Sequence, residues 1–277
     1  MGLPKFLSIY VIENDGVRLM IDVGDTLKTR TNIKKLKDLG LYPIHKIVLT
    51  HSHWDHAQGL TKLIKLMKDM DVEVLASENA INNLRHPDKI NEGLGDHTAF
   101  PFEGEITPLK EGDIIDLNGL ELEVMNFFGH TMDSIGLVDK TNKNIFAGCA
   151  AINRLDQDAF FVPLMPHDFH EQELLKSFNK LRDMRSELNS ISLAHFGVWK
   201  DNHFEQILDE MEDLYFKVKS SLIDWYNENP SINVITSNYC KTFMSNSKFW
   251  NETIFEFLVD YMINGLKMSG FIEEESI

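Results

Sequence analysis

Residues 50–56 read Thr50-His51-Ser52-His53-Trp54-Asp55-His56 and follow the apolar run Ile47-Val48-Leu49 directly. No packing pattern calls for three histidines and a carboxylate in so short a stretch. Imidazole suits zinc, copper, iron or nickel, and a nearby carboxylate adds an oxygen ligand. A short apolar strand delivers such ligands from its C-terminal end onto a loop, where chemistry tends to sit. The segment therefore restricts the chain to folds that can gather metal ligands at a strand end.

The chain has 277 residues, enough for one large domain, and its 43% hydrophobic content supports a core. The formal net charge of −16 disfavours polyanionic partners, because nucleic-acid affinity relies on Lys and Arg at phosphates. The two cysteines, Cys149 and Cys240, are weak grounds for a disulfide and suit a reducing compartment. The N-terminal residues lack a signal-peptide pattern, and no apolar stretch approaches the ~20 residues of a membrane helix. A soluble cytoplasmic protein without a membrane partner is expected.

Strand and helix signals alternate through the first two-thirds. Residues 7–12 and 17–23 read as strands joined at Asn14-Asp15-Gly16, and Lys28 to Leu39 reads as a helix ended by Gly40. A strand at 46–49 precedes the histidine loop. Leu60, Leu63, Ile64 and Met67 then recur at helical spacing, and 72–75 forms another strand. Residues 79–105, broken by Pro87, Gly93, Gly95, Pro101 and Gly104, read as a long excursion able to overhang a site. Strands are expected at 113–117, 120–127, 135–139, 144–147 and 191–194, with Asn118-Gly119 as a hairpin turn. Asp168-Phe169-His170-Glu171 has capping-box spacing ahead of the stripe Leu174, Leu175, Phe178 and Leu181.

After about Lys200 the character turns helical. Phe204, Ile207, Leu208, Met211, Leu214, Tyr215, Val218 and Leu222 form one stripe. Phe249, Trp250, Ile254, Phe255, Leu258, Tyr261 and Met262 form a second. The division expected is a catalytic domain at 1–200 and a helical C-terminal extension at 201–277. The extension either packs on that domain or forms a homodimer interface.

Three further segments end strands with metal-competent side chains: Phe127-Phe128-Gly129-His130-Thr131, Gly148-Cys149 and Ala194-His195-Phe196-Gly197. Ligands at several strand ends can converge on one mouth of a fold. In this order, HSHWDH, GHT, a strand ending in GC, and AHFG resemble the metallo-β-lactamase superfamily over about residues 7 to 200. Asp22-Val23-Gly24 resembles its early Asp-x-Gly, with Asp22 as a supporting residue near the metals. The resemblance implies an α/β fold, a four-layered αββα sandwich with the metals at one edge between the sheets. It implies His51, His53 and His130 on a first metal, and Asp55, His56 and His195 on a second. Two zinc ions are implied, with iron or manganese as the other metals of the fold.

Cys149 departs from the family pattern. Most members carry a bridging Asp there. Some β-lactamases carry a Cys, as a ligand of the second zinc, but usually without the histidine that is His56 here. Thiolate favours zinc over magnesium or manganese. Three outcomes stay open: Cys149 ligates the second metal, lies beside it, or belongs to a one-metal site.

The implied chemistry is hydrolysis by a metal-activated water, with Asp55 both ligand and orienter of the water. Acyl compounds (lactam, lactone, ester or thioester) lead as small-molecule substrates. Homoserine-lactone lactonases usually carry a Tyr soon after position 149, where this chain has Ala150-Ala151-Ile152-Asn153-Arg154. Nucleic-acid or small phosphodiester hydrolysis is the alternative, weakened by the acidic balance. Iron oxidoreduction is another, weakened because flavodiiron relatives have Glu at the place of His53. His86, His97, His167 and His170 have no motif support as ligands. Phe100, Phe102, Phe160, Phe161 and Trp199 are candidates for an apolar pocket wall, with core packing as the ordinary alternative. Cys240 reads as a core residue.

Overall fold

The computed structural model describes residues 7–94, 99–154, 159–247 and 252–273, with backbone alone at 252–254. The first sheet contains β1 (Tyr10–Asn14), β2 (Val17–Ile21), β3 (Lys46–Leu49), β4 (Glu73–Ser77) and β5 (Thr107–Leu109), paired in that order. β1 and β2 are an antiparallel hairpin; β2 through β5 run parallel. Between these strands lie α1 (Thr29–Asp38), α2 (Trp54–Ala57), α3 (Leu60–Leu66), α4 (Ala80–Arg85) and α5 (Pro87–Ile90). The last two occupy the expected excursion.

The second sheet contains β6 (Ile114–Leu117), β7 (Leu120–Asn126), β8 (Ile135–Asp139), β9 (Asn144–Gly148), β12 (Ser190–Leu193) and β13 (Gly197–Lys200), ordered β13-β12-β9-β8-β7-β6. A small ribbon, β10 (Asn153–Arg154) with β11 (Phe160–Phe161), stands apart from both sheets. The helices on this side are α6 (Glu171–Asp183), α7 (Asn202–Glu228), α8 (Ile232–Phe243) and α9 (Glu252–Met268).

Period-two alternation assigns each face of these strands. Leu19, Ile21, Val48 and Leu75 meet Ile115, Leu122, Val124, Leu137 and Phe146 between the sheets. The intervening Met20, Ile47, Leu49, Val74 and Ala76 point outward and pack with Leu36 of α1 and Leu60 and Leu63 of α3. On the far side Val138, Ile145, Ala147 and Ile191 share a core with Leu174, Phe178, Ile207, Tyr215, Tyr239 and Leu258. Strands buried on both faces read as near-continuous apolar runs. The result is the expected four-layered αββα sandwich with C-terminal helices. Apart from half-buried Leu214, the α7 stripe is buried against the second sheet's outer face, and so are Phe255, Leu258 and Met262 of the second stripe. Phe249 and Trp250 lie outside the described residues, as does the Ile254 side chain.

Local differences have local causes. β2 ends at Ile21 rather than at Val23, because Asp22 enters the left-handed region with φ 60°. The N-cap of α6 is His170, whose Nδ1 accepts from the Glu173 N–H, and not Asp168. Asp168 has φ 76°, and its carboxylate accepts from the Met132 N–H instead. Of the strands that the sequence does not announce, β13 is the longest. Its alternation lasts only four residues on a sheet edge, too short to stand out from the helical pattern that follows.

Candidate metal centre

Four chain segments bring polar side chains to one edge of the sandwich. His51, His53, Asp55 and His56 follow β3 of the first sheet; His130 lies between β7 and β8, Cys149 follows β9 and His195 follows β12. Backbone bonds hold these ends together. Ile135 N–H donates to the Thr50 carbonyl across the two sheets, and Ala194 N–H donates to the Gly148 carbonyl. Every one of these histidines is buried, and so is Cys149.

The imidazoles form two groups. His51 Nε2 lies 3.2 Å from His53 Nδ1, which lies 3.0 Å from His130 Nε2. These nitrogens face one another with no carboxylate between them, an arrangement that suits a shared cation. Beside them, Asp55 Oδ2 lies 3.6 Å from His56 Nε2 and 3.7 Å from His195 Nε2. Cys149 Sγ stands 3.7 Å from His56 Nε2. One atom each from His56, Cys149 and His195 falls within 4.8 Å of the others, and so does the set His51, His130 and Cys149. The thiol therefore sits where both groups can reach it.

The surrounding hydrogen bonds orient the rings. Asp22 Oδ2 accepts from His56 Nδ1 at 2.8 Å, which turns Nε2 toward the cluster. The same carboxylate accepts from the Thr50 N–H at 2.8 Å and the Thr50 hydroxyl at 2.9 Å, so it also fixes the end of β3. His130 Nδ1 donates to the Pro163 carbonyl at 3.1 Å, presenting its Nε2 in the same way. Ser52 donates to buried Asp133, which also accepts from Thr131 and Asn83, tying the histidine loop to the His130 loop. Asp133 is absent from the candidates that the sequence offers; its only signal there is a carboxylate three residues after His130.

Burial sets the protonation states. Burial and neighbouring imidazoles hold His51 and His53 well below the usual histidine value, and burial holds His130 down to about 4. All three are neutral at pH 7, the form that ligates metals. Burial also opposes charge on His56, but the carboxylates of Asp55 and Asp22 outweigh it and raise its pKa. Burial pushes the Cys149 thiol up against the opposing pull of His56. A buried cluster of neutral nitrogens, a carboxylate and a thiol fits zinc or iron better than magnesium.

A small cavity of about 40 Å³ opens over this cluster. Its walls are Trp54, Leu94, Phe161, Met165, Leu258 and Tyr261. The expected excursion does reach the site through Leu94, and Asn91 Oδ1 accepts from the Trp54 N–H. Of the aromatic candidates only Phe161 borders the cavity; Phe102 and Phe160 are core residues and Phe100 is exposed. Leu258 and Tyr261 stand out in the sequence only as members of a packing stripe. His97 lies outside the described residues.

The chain matches the family model of the metallo-beta-lactamase superfamily over residues 3–195. It is 31% identical over 131 residues to a ribonuclease Z of Clostridium botulinum, covering 44% of this chain and 39% of that protein. It is 28% identical over 105 residues to a hydroxyacylglutathione hydrolase of Ruegeria pomeroyi, covering 38% and 33%. The matches thus span well under two-thirds of these relatives. Among solved structures it resembles metallo-beta-lactamase family protein TTHA1429 of Thermus thermophilus with TM-score 0.65 and 16% identity, over 95% of this chain and 89% of that one. It resembles a di-iron-bound form of TTHA1623 with TM-score 0.55 and 20% identity, over 72% and 94%.

Proposed function

Because the chain belongs to the metallo-beta-lactamase superfamily, we propose that it is a zinc-dependent hydrolase of acyl compounds: a lactam, lactone, ester or thioester. The observation that carries this reading is the meeting of His51 Nε2, His53 Nδ1 and His130 Nε2 at 3.0–3.2 Å beside a second set containing Asp55, His56, His195 and Cys149. The first three residues would hold one metal. The second set would hold another, with Cys149 in the place of the usual bridging carboxylate. When bound, zinc supplies a water acidified to a pKa of about 7 and Lewis-acid polarisation of a carbonyl.

The chain's own groups do the rest. Asp55, the one carboxylate among the described residues that line the cavity, would orient the attacking water and accept its proton. Asp22 keeps His56 Nε2 aimed into the site. Leu94, Phe161, Met165 and Leu258 exclude bulk water, which strengthens electrostatic effects on the reacting carbonyl. Phosphodiester hydrolysis is the second reading, favoured by the match to ribonuclease Z and opposed by the net charge of −16. Iron is the alternative metal, favoured by the di-iron form of TTHA1623. A small-molecule partner and a cytoplasmic setting belong to the same proposal; no helix among the described residues is long and apolar enough to cross a membrane.

The test is metal analysis of purified protein together with a panel of β-lactam, lactone, thioester and bis-p-nitrophenyl phosphate. Zinc above one equivalent and turnover of an acyl member are expected, with turnover abolished by His51→Ala plus His53→Ala. Iron as the dominant metal, or turnover of the phosphodiester alone, would overturn the reading.

A further inference from the structure

We propose that α9 is the substrate-selecting wall of this site. In this reading Tyr261 and Leu258 contact the acyl group and restrict it to short, uncharged compounds. The inference rests on the acyl-hydrolase reading for its chemistry and adds the class of substrate.

α9 belongs to the C-terminal helices, outside the 3–195 span of the family match. It nevertheless closes the cavity over the ligand cluster through Leu258 and Tyr261. Its placement is held from two sides. Tyr261 Oη donates to the Leu94 carbonyl at 3.0 Å, and Asn264 Nδ2 donates to the Gly93 carbonyl at 3.5 Å. On the other side Gly265 lets the helix lie against Leu164 and Met165; a Cβ there would come within 2.9 Å of Leu164 Cδ2 and 3.1 Å of the Met165 carbonyl carbon. A wall fixed in this way is preorganised for its ligand.

Size and polarity define what fits. The cavity is small, about 40 Å³, which suits a short acyl chain better than a long one. Among the described wall residues, Trp54, Leu94, Phe161, Met165, Leu258 and Tyr261, there is no Lys or Arg. A carboxylate or phosphate at the far end of the acyl group, held against these wall residues and away from the ligand cluster, would be desolvated without a cationic side chain beside it, which opposes its entry. Tyr261 carries the one hydroxyl of that wall. Burial pushes its pKa up, so the phenol remains a neutral donor at working pH. Turning from the Leu94 carbonyl toward the cavity would let it donate to a substrate oxygen.

The experiment is calorimetric binding of three probes to zinc-loaded full-length protein: butyrohydroxamic, octanohydroxamic and succinohydroxamic acids. Hydrolysis of p-nitrophenyl butyrate is measured in parallel. Wild-type protein should bind the butyryl probe at least tenfold tighter than either of the others. Leu258→Ala should gain about tenfold for the octanoyl probe. Tyr261→Phe should weaken the butyryl probe and lower kcat/KM by about tenfold, with zinc content and Tm unchanged. Equal affinity of wild-type protein for the butyryl and succinyl probes would overturn the inference. So would an unaltered probe profile in both variants. If Leu258→Ala fails to fold, the wild-type profile and Tyr261→Phe decide. Probe discrimination without hydrolysis of any acyl compound would support the wall and overturn the hydrolase reading. Hydrolysis without discrimination would do the reverse.

Discussion

Cys149 is the residue on which the character of the centre turns. It is buried, 3.7 Å from His56 Nε2, and groups both with His56 and His195 and with His51 and His130. A thiolate between two metals supplies one soft donor, whereas a carboxylate in its place offers two hard ones. Cys149→Asp should therefore retain or raise activity while relaxing the preference for zinc, and Cys149→Ala should cut bound zinc toward one equivalent. Metal analysis with melting curves reads both; full metal content with a collapsed melting temperature in the Ala variant would make the cysteine purely structural. These side chains are legible in the sequence because each is a metal-competent group in a place where an apolar strand has just ended. Asp133 is not, because a carboxylate near a turn has many local uses and its bond with Ser52 spans 81 positions.

At the scale of elements, the loop carrying His130 is fitted to α6. Gly129 has φ 129°, and a Cβ on it would lie 2.2 Å from the Leu174 backbone nitrogen. Gly129→Ala combines backbone strain with a clash against a helix that cannot yield, so a loss of about 3 kcal/mol is expected. Urea unfolding should show it as a lower midpoint with an unchanged slope. A variant as stable as the parent would mean that α6 shifts freely. Except for the short edge strands β5 and β13, the strands of both sheets are readable ahead of the structure from their apolar runs or alternation. The role of α9 is not. Leu258 and Tyr261 belong to an ordinary helical stripe, and which residues face the cavity is decided by contacts of α9 with Gly93, Leu94, Leu164 and Met165, all far from it along the chain. Asp168 misleads for a related reason: its spacing suits a cap, but its carboxylate is engaged by Met132.

For the whole molecule, buried neutral histidines make the metal-free protein acid-sensitive. An unfolded histidine takes up its proton near pH 6.5, whereas folded His130 resists until about pH 4. Across that interval the unfolded chain binds more protons, so stability present above pH 6.5 is lost as the pH falls toward 4. His130 alone should cost on the order of 3 kcal/mol over the full interval. His51 and His53 act in the same direction. His56 acts oppositely, contributing stability below its unfolded value and losing it as pH rises through its raised folded value. Chelator-treated protein should thus show a falling urea midpoint between pH 7 and 4.5, and a flat profile would contradict the burial of neutral imidazoles.

The candidate ligands are divided between the two sheets: one sheet's strand end carries His51 to His56, and the other's carry His130, Cys149 and His195. In the proposed sets, each metal would draw its ligands from both halves. Capture of metal during folding is then a late event that must wait for the two layers to meet. In stopped-flow refolding, zinc uptake followed by an indicator dye should lag behind the rise of far-ultraviolet circular dichroism. Simultaneous onset would show that the histidine loop alone recruits the ion.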